Sequence, residues 1–62
     1  MHKHIPTLQV VYYSDVDSYS YRYDDVNGNT QEVGVFPSLD IAMGDATRNL
    51  KCFTLLEGVE QG

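Results

Sequence analysis

Three tyrosines at every second position constrain the fold of this chain more than any other feature. Tyr19, Tyr21 and Tyr23 alternate with polar residues over Ser18–Asp24. Because successive side chains of a strand point to opposite faces, this spacing predicts a β-strand with one aromatic face. A turn-forming run, residues 25–28, follows at once and predicts an antiparallel hairpin.

The turn sequence also predicts how the two strands of the hairpin pair. Asp25 and Gly28 suit a type I turn in which Gly28 takes the left-handed conformation of a bulge. A two-residue loop would shift the pairing by one position and would put the following valines on the polar face. The bulged turn places three pairs of residues opposite each other: Arg22 and Glu32, Tyr21 and Val33, and Tyr19 and Val35.

Two further strands and one helix are predicted. Residues 8–14 are β-branched and aromatic on both faces, which is typical of a central strand or of one whose second face meets a partner. Ser38 can cap a helix, and residues 52–56 predict a short last strand. The buried stripe of the helix follows its i, i+3, i+4 spacing and consists of Leu39, Ala42, Met43, Ala46 and Leu50.

The predicted fold is therefore α+β. It is a small antiparallel sheet with the order β-β-β-α-β along the chain, and one helix packs on one face. Residues 1–62 form a single small domain, with a flexible arm at 1–6 and a loose tail at 58–62. A chain this short buries only about 60% of its unfolded surface, so its core is marginal. Since Cys52 is the one cysteine and can form no intrachain disulfide, a second subunit is the support we expect first.

The charge of the chain favours one class of partner over another. Nine acidic and four basic residues give a formal net charge of −5. Nucleic acid is disfavoured because its phosphates repel such a surface, and the predicted register makes the tyrosines a core face rather than a base-stacking platform. A basic protein surface is the more natural partner, although the same charge would also keep a small protein soluble.

Seven residues are the candidate partner-binding residues. They lie in or beside the two predicted loops, or on strand positions opposite the tyrosine face. They are Tyr13, Asp15, Asp17, Arg22, Asp24, Asp25 and Glu32.

No catalytic residue, cofactor or metal site is predicted. His2 and His4 lie on the arm with no third ligand in view, and Cys52 in a strand is more often a small apolar residue than a nucleophile. So short a chain has little interior in which to enclose a substrate, and we expect it not to be an enzyme. A closed pocket lined by Tyr12, Tyr21 and Cys52 would instead indicate an enzyme or ligand carrier.

The expected location is the cytoplasm, away from membranes. The apolar runs are too short for a membrane span, and residues 1–6 lack the hydrophobic core of a secretory signal. A single unpaired cysteine suits a reducing compartment.

Residues 32–42 resemble a pattern of many small proteins, in which a strand runs into Ser/Thr-Leu-Asp-x-Ala at the start of a helix. Small phage inhibitors of bacterial RNA polymerase are similar here, and the resemblance implies an acidic-surfaced domain that acts by binding. Capping and helix amphipathicity carry the resemblance, and it assigns no family. The predicted function is a non-enzymatic protein-binding module, such as a phage or mobile-element inhibitor that occludes a basic surface of a host protein. The alternative is a structural or regulatory homo-oligomer, a dimer through an edge strand or a sheet face, with no separate activity.

Overall fold

The computed structural model describes residues 3–62, which form four strands and one helix. The predicted α+β class and the order β-β-β-α-β are confirmed. The strands form one sheet in the order β3-β2-β1-β4. The elements are β1 (Thr7–Tyr13), β2 (Ser18–Asp24), β3 (Thr30–Phe36), α1 (Leu39–Leu50) and β4 (Thr54–Gln61).

The sheet is mixed, whereas the sequence predicted an antiparallel one. β1, β2 and β3 form an antiparallel meander, and β4 pairs parallel with β1 at the far edge. The chain leaves β3, crosses one face of the sheet as α1 and returns as β4. Because this crossover brings the chain back in the direction of β3, which is also the direction of β1, the new strand runs parallel to β1.

The predicted turn between β2 and β3 is confirmed. Gly28 has a φ of 84°, and its N–H donates to the carbonyl of Asp25 at 3.0 Å. The Asp25 carboxylate accepts from the backbone N–H groups of Asn27 and Asn29, both at 2.9 Å. A left-handed residue after a type I turn is the bulged geometry that the sequence predicted.

The register of the hairpin follows the prediction except at its far end. Arg22 lies opposite Glu32, and Tyr21 lies opposite Val33. Beyond them the register shifts, so that Tyr19 pairs with Phe36 and not with the predicted Val35. Gly34 pairs with Ser20 at this irregularity, where a Cβ atom on the glycine would collide with Ser20. The bulge leaves Val35 59% exposed.

The helix covers β2 and β3 and creates the core. Ser38 caps it, since its Oγ accepts from the N–H of Ile41 at 3.2 Å. Ala42 and Ala46 are fully buried, and the Tyr21 ring stacks on Phe36 with centroids 6.0 Å apart. The predicted stripe is buried or partly buried except for one residue, Leu39, which is 38% exposed. The core cluster is Leu8, Val10, Tyr21 and Ala46, with Tyr19, Tyr23, Val33, Phe36, Met43, Leu50 and Phe53 packed around it.

The prediction of a loose tail at residues 58–62 is wrong. β4 continues to Gln61, and the N–H of Gly62 donates to the carbonyl of Tyr12 at 2.9 Å. A bulge in β4 interrupts its pairing with β1, and the Gln9 side chain donates to the carbonyl of Gly58 there at 3.2 Å. The last strand therefore begins at Thr54 and not at Cys52, and it continues through Gly58, beyond the predicted end at Leu56. Cys52 lies before β4 and is exposed.

Part of the predicted flexible arm is also in contact with the sheet. Pro6 is buried, and its carbonyl accepts from the N–H of Thr54 at 2.9 Å. The Nε2 atom of His4 lies 2.9 Å from the carbonyl oxygen of Asp24. Met1 and His2 lie outside the described residues, so the expectation for a His2–His4 pair is not addressed.

Candidate protein-binding surface

The face of the sheet opposite α1 carries most of the candidate binding residues. No helix in residues 3–62 covers it, because the single helix described lies on the other side. We call this surface the open face. It is formed by Gln9, Val11, Tyr13, Ser20, Arg22, Asp24, Glu32 and Glu60.

Arg22 joins three strands across the open face. Its Nε donates to Oε1 of Glu32 on β3 at 2.7 Å, and a terminal nitrogen donates to Oε2 of Glu60 on β4 at 2.6 Å. These hydrogen bonds, the one with Glu32 above all, raise the pKa of Arg22 above its usual value. The guanidinium is thus fixed between two carboxylates and stays charged at every ordinary pH.

Glu32 forms hydrogen bonds with three side chains of the open face. In addition to the hydrogen bond from Arg22, its carboxylate accepts a hydrogen bond from the hydroxyl of Tyr13 at 2.6 Å and one from the hydroxyl of Ser20 at 3.3 Å. The hydrogen bond from Arg22, followed by that from Tyr13, holds the pKa of the Glu32 carboxyl below its usual range. Its carboxylate is therefore ionised and held in one orientation by three donors.

Asp24 lies at one end of the open face. Its Oδ1 accepts from the N–H of Thr7 at 2.5 Å, and that bond is the main cause of a lowered Asp24 pKa. Asp24, Arg22 and Glu60 line a shallow groove of about 270 Å³. Three carboxylates (Asp24, Glu32 and Glu60) and one guanidinium give the open face two negative charges in excess.

The remaining three candidate residues lie in the loops. Asp15 is exposed in the turn between β1 and β2, and Asp17 in the same turn accepts from the Tyr12 hydroxyl at 2.7 Å. Asp25 closes the turn between β2 and β3. Since these turns lie at opposite ends of β2, whose seven residues span about 23 Å, the loop carboxylates do not form one patch. The structure brings Tyr13, Arg22, Asp24 and Glu32 together and leaves the others apart.

Sequence reasoning missed two features. Glu60 lies in the segment that the sequence predicts as a loose tail, and the residues after Gly58 show no alternation that would have indicated a strand. The second is the polar end of Tyr21, whose hydroxyl donates to Asp45 at 2.7 Å and accepts from Asn49 at 3.3 Å.

The polar partners of Tyr21 satisfy a hydroxyl on a fully buried residue. Asp45 and Asn49 are spaced i, i+4 beside the alanines of the buried stripe, and that spacing was the available signal. Burial, and then the hydrogen bond with Asp45, raise the pKa of Tyr21. This cluster belongs to the core and not to the open face.

Residues 3–62 contain no group of three or more His, Cys, Asp or Glu side chains placed to hold a metal ion. Tyr12, Tyr21 and Cys52 line neither the groove beside Arg22 nor a second groove beside α1 and β4. Nor is the single helix of residues 3–62 long and apolar enough to cross a membrane.

Comparison with known proteins gives no relative. No family model, no curated protein and no solved structure matches this chain. Functional inference therefore depends on the chemistry of the surface.

Proposed function

We propose that this chain is a small, non-enzymatic protein-binding module that binds a basic surface of a partner protein through its open face. The observation that supports the proposal is the hydrogen-bonded network of Tyr13, Arg22, Glu32 and Glu60. It keeps an aromatic residue, an arginine and two carboxylates ordered on a face that no described helix covers.

Order of this kind favours binding. A partner that immobilises a long side chain loses about 0.5–1.5 kcal/mol for each one, and side chains that are already fixed avoid that loss. Tyrosine and arginine are also the residues most enriched at the energetic centres of protein interfaces. Arg22 and Tyr13 are both held by Glu32, so the three would meet a partner as one rigid unit.

The charge indicates the chemistry of the partner. The open face has more carboxylates than cations, and the whole chain carries −5. Complementary charge accelerates association and selects against acidic partners. We propose a cytoplasmic role in which the module occludes a basic surface of a host protein, as an inhibitor encoded by a phage or a mobile element would.

The second candidate function is a regulatory or structural homodimer without separate activity. It is favoured by the position of β4 at the edge of the sheet, since no strand within residues 3–62 pairs with its outer side and another strand could add there. Sedimentation of the isolated protein separates the candidates, because a stable dimer favours this one and a monomer favours a foreign partner.

Affinity capture with matched charge variants tests the proposal. The immobilised protein should retain one stoichiometric partner from a bacterial lysate at low salt, and added salt should release it. Glu32→Gln should weaken binding about tenfold, because it leaves Arg22 and the partner's cation without their shared carboxylate. Asp40→Asn, which removes one exposed charge on the helix, should bind like the unmodified protein.

Two results would contradict the proposal. One is that no partner is retained at low salt. The other is an equal loss of binding in Glu32→Gln and Asp40→Asn, which would mean that total charge matters and the open face does not.

A further inference from the structure

A second surface lies on the helix side of the sheet, where α1 leaves β4 uncovered. The helix packs mainly over β2 and β3, and an open groove of about 240 Å³ remains beside it. We call it the β4 groove. Its floor and walls include Val10, Leu39, Met43, Leu55, Glu57 and Val59.

The β4 groove collects apolar side chains that the fold does not bury. Leu39 is 38% exposed, Leu55 49% and Val59 40%, although Val10 at the floor is only 3% exposed. Scattered apolar residues on a surface are ordinary, whereas contiguous ones around a depression mark an interaction site. The four residues come from β1, α1 and β4, so the groove is a product of the fold.

The size of the β4 groove argues against a small-molecule ligand. Sites for cofactors and drug-sized ligands usually measure about 300–1,000 Å³ and enclose most of the ligand. At about 240 Å³, and open to solvent, this groove fits one or two large side chains of another protein. Interface hot spots are formed by such anchors in apolar depressions.

Charge decides between a foreign protein and a second copy of this chain. Glu57 is the one charged residue lining the β4 groove in the described part of the chain. A second copy would bring its own net charge of −5 and would offer one more acidic groove. A segment with an apolar side chain beside a lysine or arginine complements both the walls and Glu57.

We propose that the β4 groove binds an anchor of a partner protein, namely one or two large apolar side chains next to a lysine or arginine that pairs with Glu57. The inference rests on the proposed function, because it gives the partner with the basic surface a second, apolar contact. It adds a site on the opposite side of the sheet from the open face.

A titration with short peptides, followed by the amide signals of the isotope-labelled protein, tests the inference. The probe is acetyl-Phe-Leu-Lys-amide, and the matched peptide is acetyl-Phe-Leu-Glu-amide. The lysine peptide should shift the signals of Val10, Leu55 and Val59 with millimolar affinity. The glutamate peptide should bind about two- to fivefold more weakly, as expected for one exposed ion pair.

Variants of exposed residues provide the control. Leu55→Ser should abolish the shifts, since it removes one apolar wall of the groove at a position that is itself 49% exposed. Val35→Ser makes the same kind of change on β3, at the opposite edge of the sheet, and should leave the titration unaltered. Glu57→Gln should make the two peptides bind alike.

Several outcomes would overturn the inference. They are equal binding of the two peptides by the unmodified protein, no shift in the β4 groove at millimolar peptide, or a dimer whose formation shifts the same signals. Shifts at Tyr13 and Glu32 alone would also overturn it but would support the open face. Lysine-dependent shifts at Leu55, combined with a failed capture experiment, would support the groove and contradict the proposed function.

Discussion

The two faces of the sheet are ordered by different forces. On the covered face, Leu8 and Tyr21 are fully buried beneath α1 and are held by apolar contact. On the open face, Arg22 and Glu32 are held by short charged hydrogen bonds, although 33% and 39% of their side chains remain exposed. One face is ordered by exclusion of water and the other by charge in the presence of water.

A side chain can therefore be well ordered without contributing much to the stability of the fold. A fully buried large apolar side chain stabilises a fold by about 1.5–3 kcal/mol, whereas an exposed ion pair contributes about 0–1 kcal/mol. The network around Arg22 therefore adds little to the free energy of unfolding for the number of side chains that it fixes. Its order is more useful for meeting a partner than for holding the fold together.

The covered face should show the largest effect of a single substitution. Leu8→Ala should cost about 2–5 kcal/mol through lost burial and a residual cavity. A domain of 62 residues has a total stability of about 3–9 kcal/mol, so this variant should lose a large fraction of its stability and should unfold if the total lies at the low end of that range. Urea denaturation followed by circular dichroism measures the loss. Val35→Ala, at an exposed position, should change stability by less than about 0.5 kcal/mol.

On the open face, a substitution of Arg22 should reduce the stability of the fold much less. Arg22→Met keeps the aliphatic stem that covers neighbouring residues and removes the guanidinium. We expect a much smaller loss of stability than for Leu8→Ala, because Glu32 and Glu60 are exposed enough for water to solvate them. The same urea experiment, repeated at high salt, should show a smaller difference between the two proteins. A loss as large as that of Leu8→Ala would break the contrast between the faces.

The sequence predicted the features that depend on local rules. The period-2 tyrosines identified β2 within its observed bounds, and Asp25 and Gly28 identified the bulged turn. That turn then gave the pairing of Arg22 with Glu32, which puts the polar and aromatic residues on opposite faces. Turn chemistry and side-chain alternation act over a few residues, so a single sequence is enough to apply them.

The missed features depend on distant parts of the chain. A last strand was expected, but β4 runs parallel to β1 and continues past Gly58 because it pairs with β1, some fifty residues earlier in the chain, and no local pattern reveals a parallel partner. Glu60 reaches the network of the open face only because this end of β4 pairs with β1. Leu39 lies on the predicted stripe but stays exposed, because the helix lies mainly over β2 and β3 and leaves β4 uncovered beside it. Helical periodicity tells which residues share a face and not where the helix is placed.

The smallest expected effect is a difference between the two faces in how the stability of the fold depends on pH. It is also the sharpest test of the contrast between them. Arg22 holds the Glu32 pKa below its ordinary value, and the N–H of Thr7 does the same for Asp24. The unfolded chain therefore takes up protons first as the pH falls. This stabilisation should be complete above about pH 5 and should be lost progressively below about pH 4.

The covered face should control the alkaline side instead. Burial and Asp45 raise the pKa of Tyr21, so the unfolded chain loses this proton first, and stability should fall as the pH rises above about 10. Urea midpoints measured across the pH range should show that Glu32→Gln flattens the acid side and Tyr21→Phe the alkaline side. Tyr12→Phe is the control variant, because the pKa of Tyr12 is also raised, mainly by its hydrogen bond to Asp17. If Tyr21→Phe left the alkaline side unchanged, the buried hydroxyl would not be the group that couples the covered face to pH.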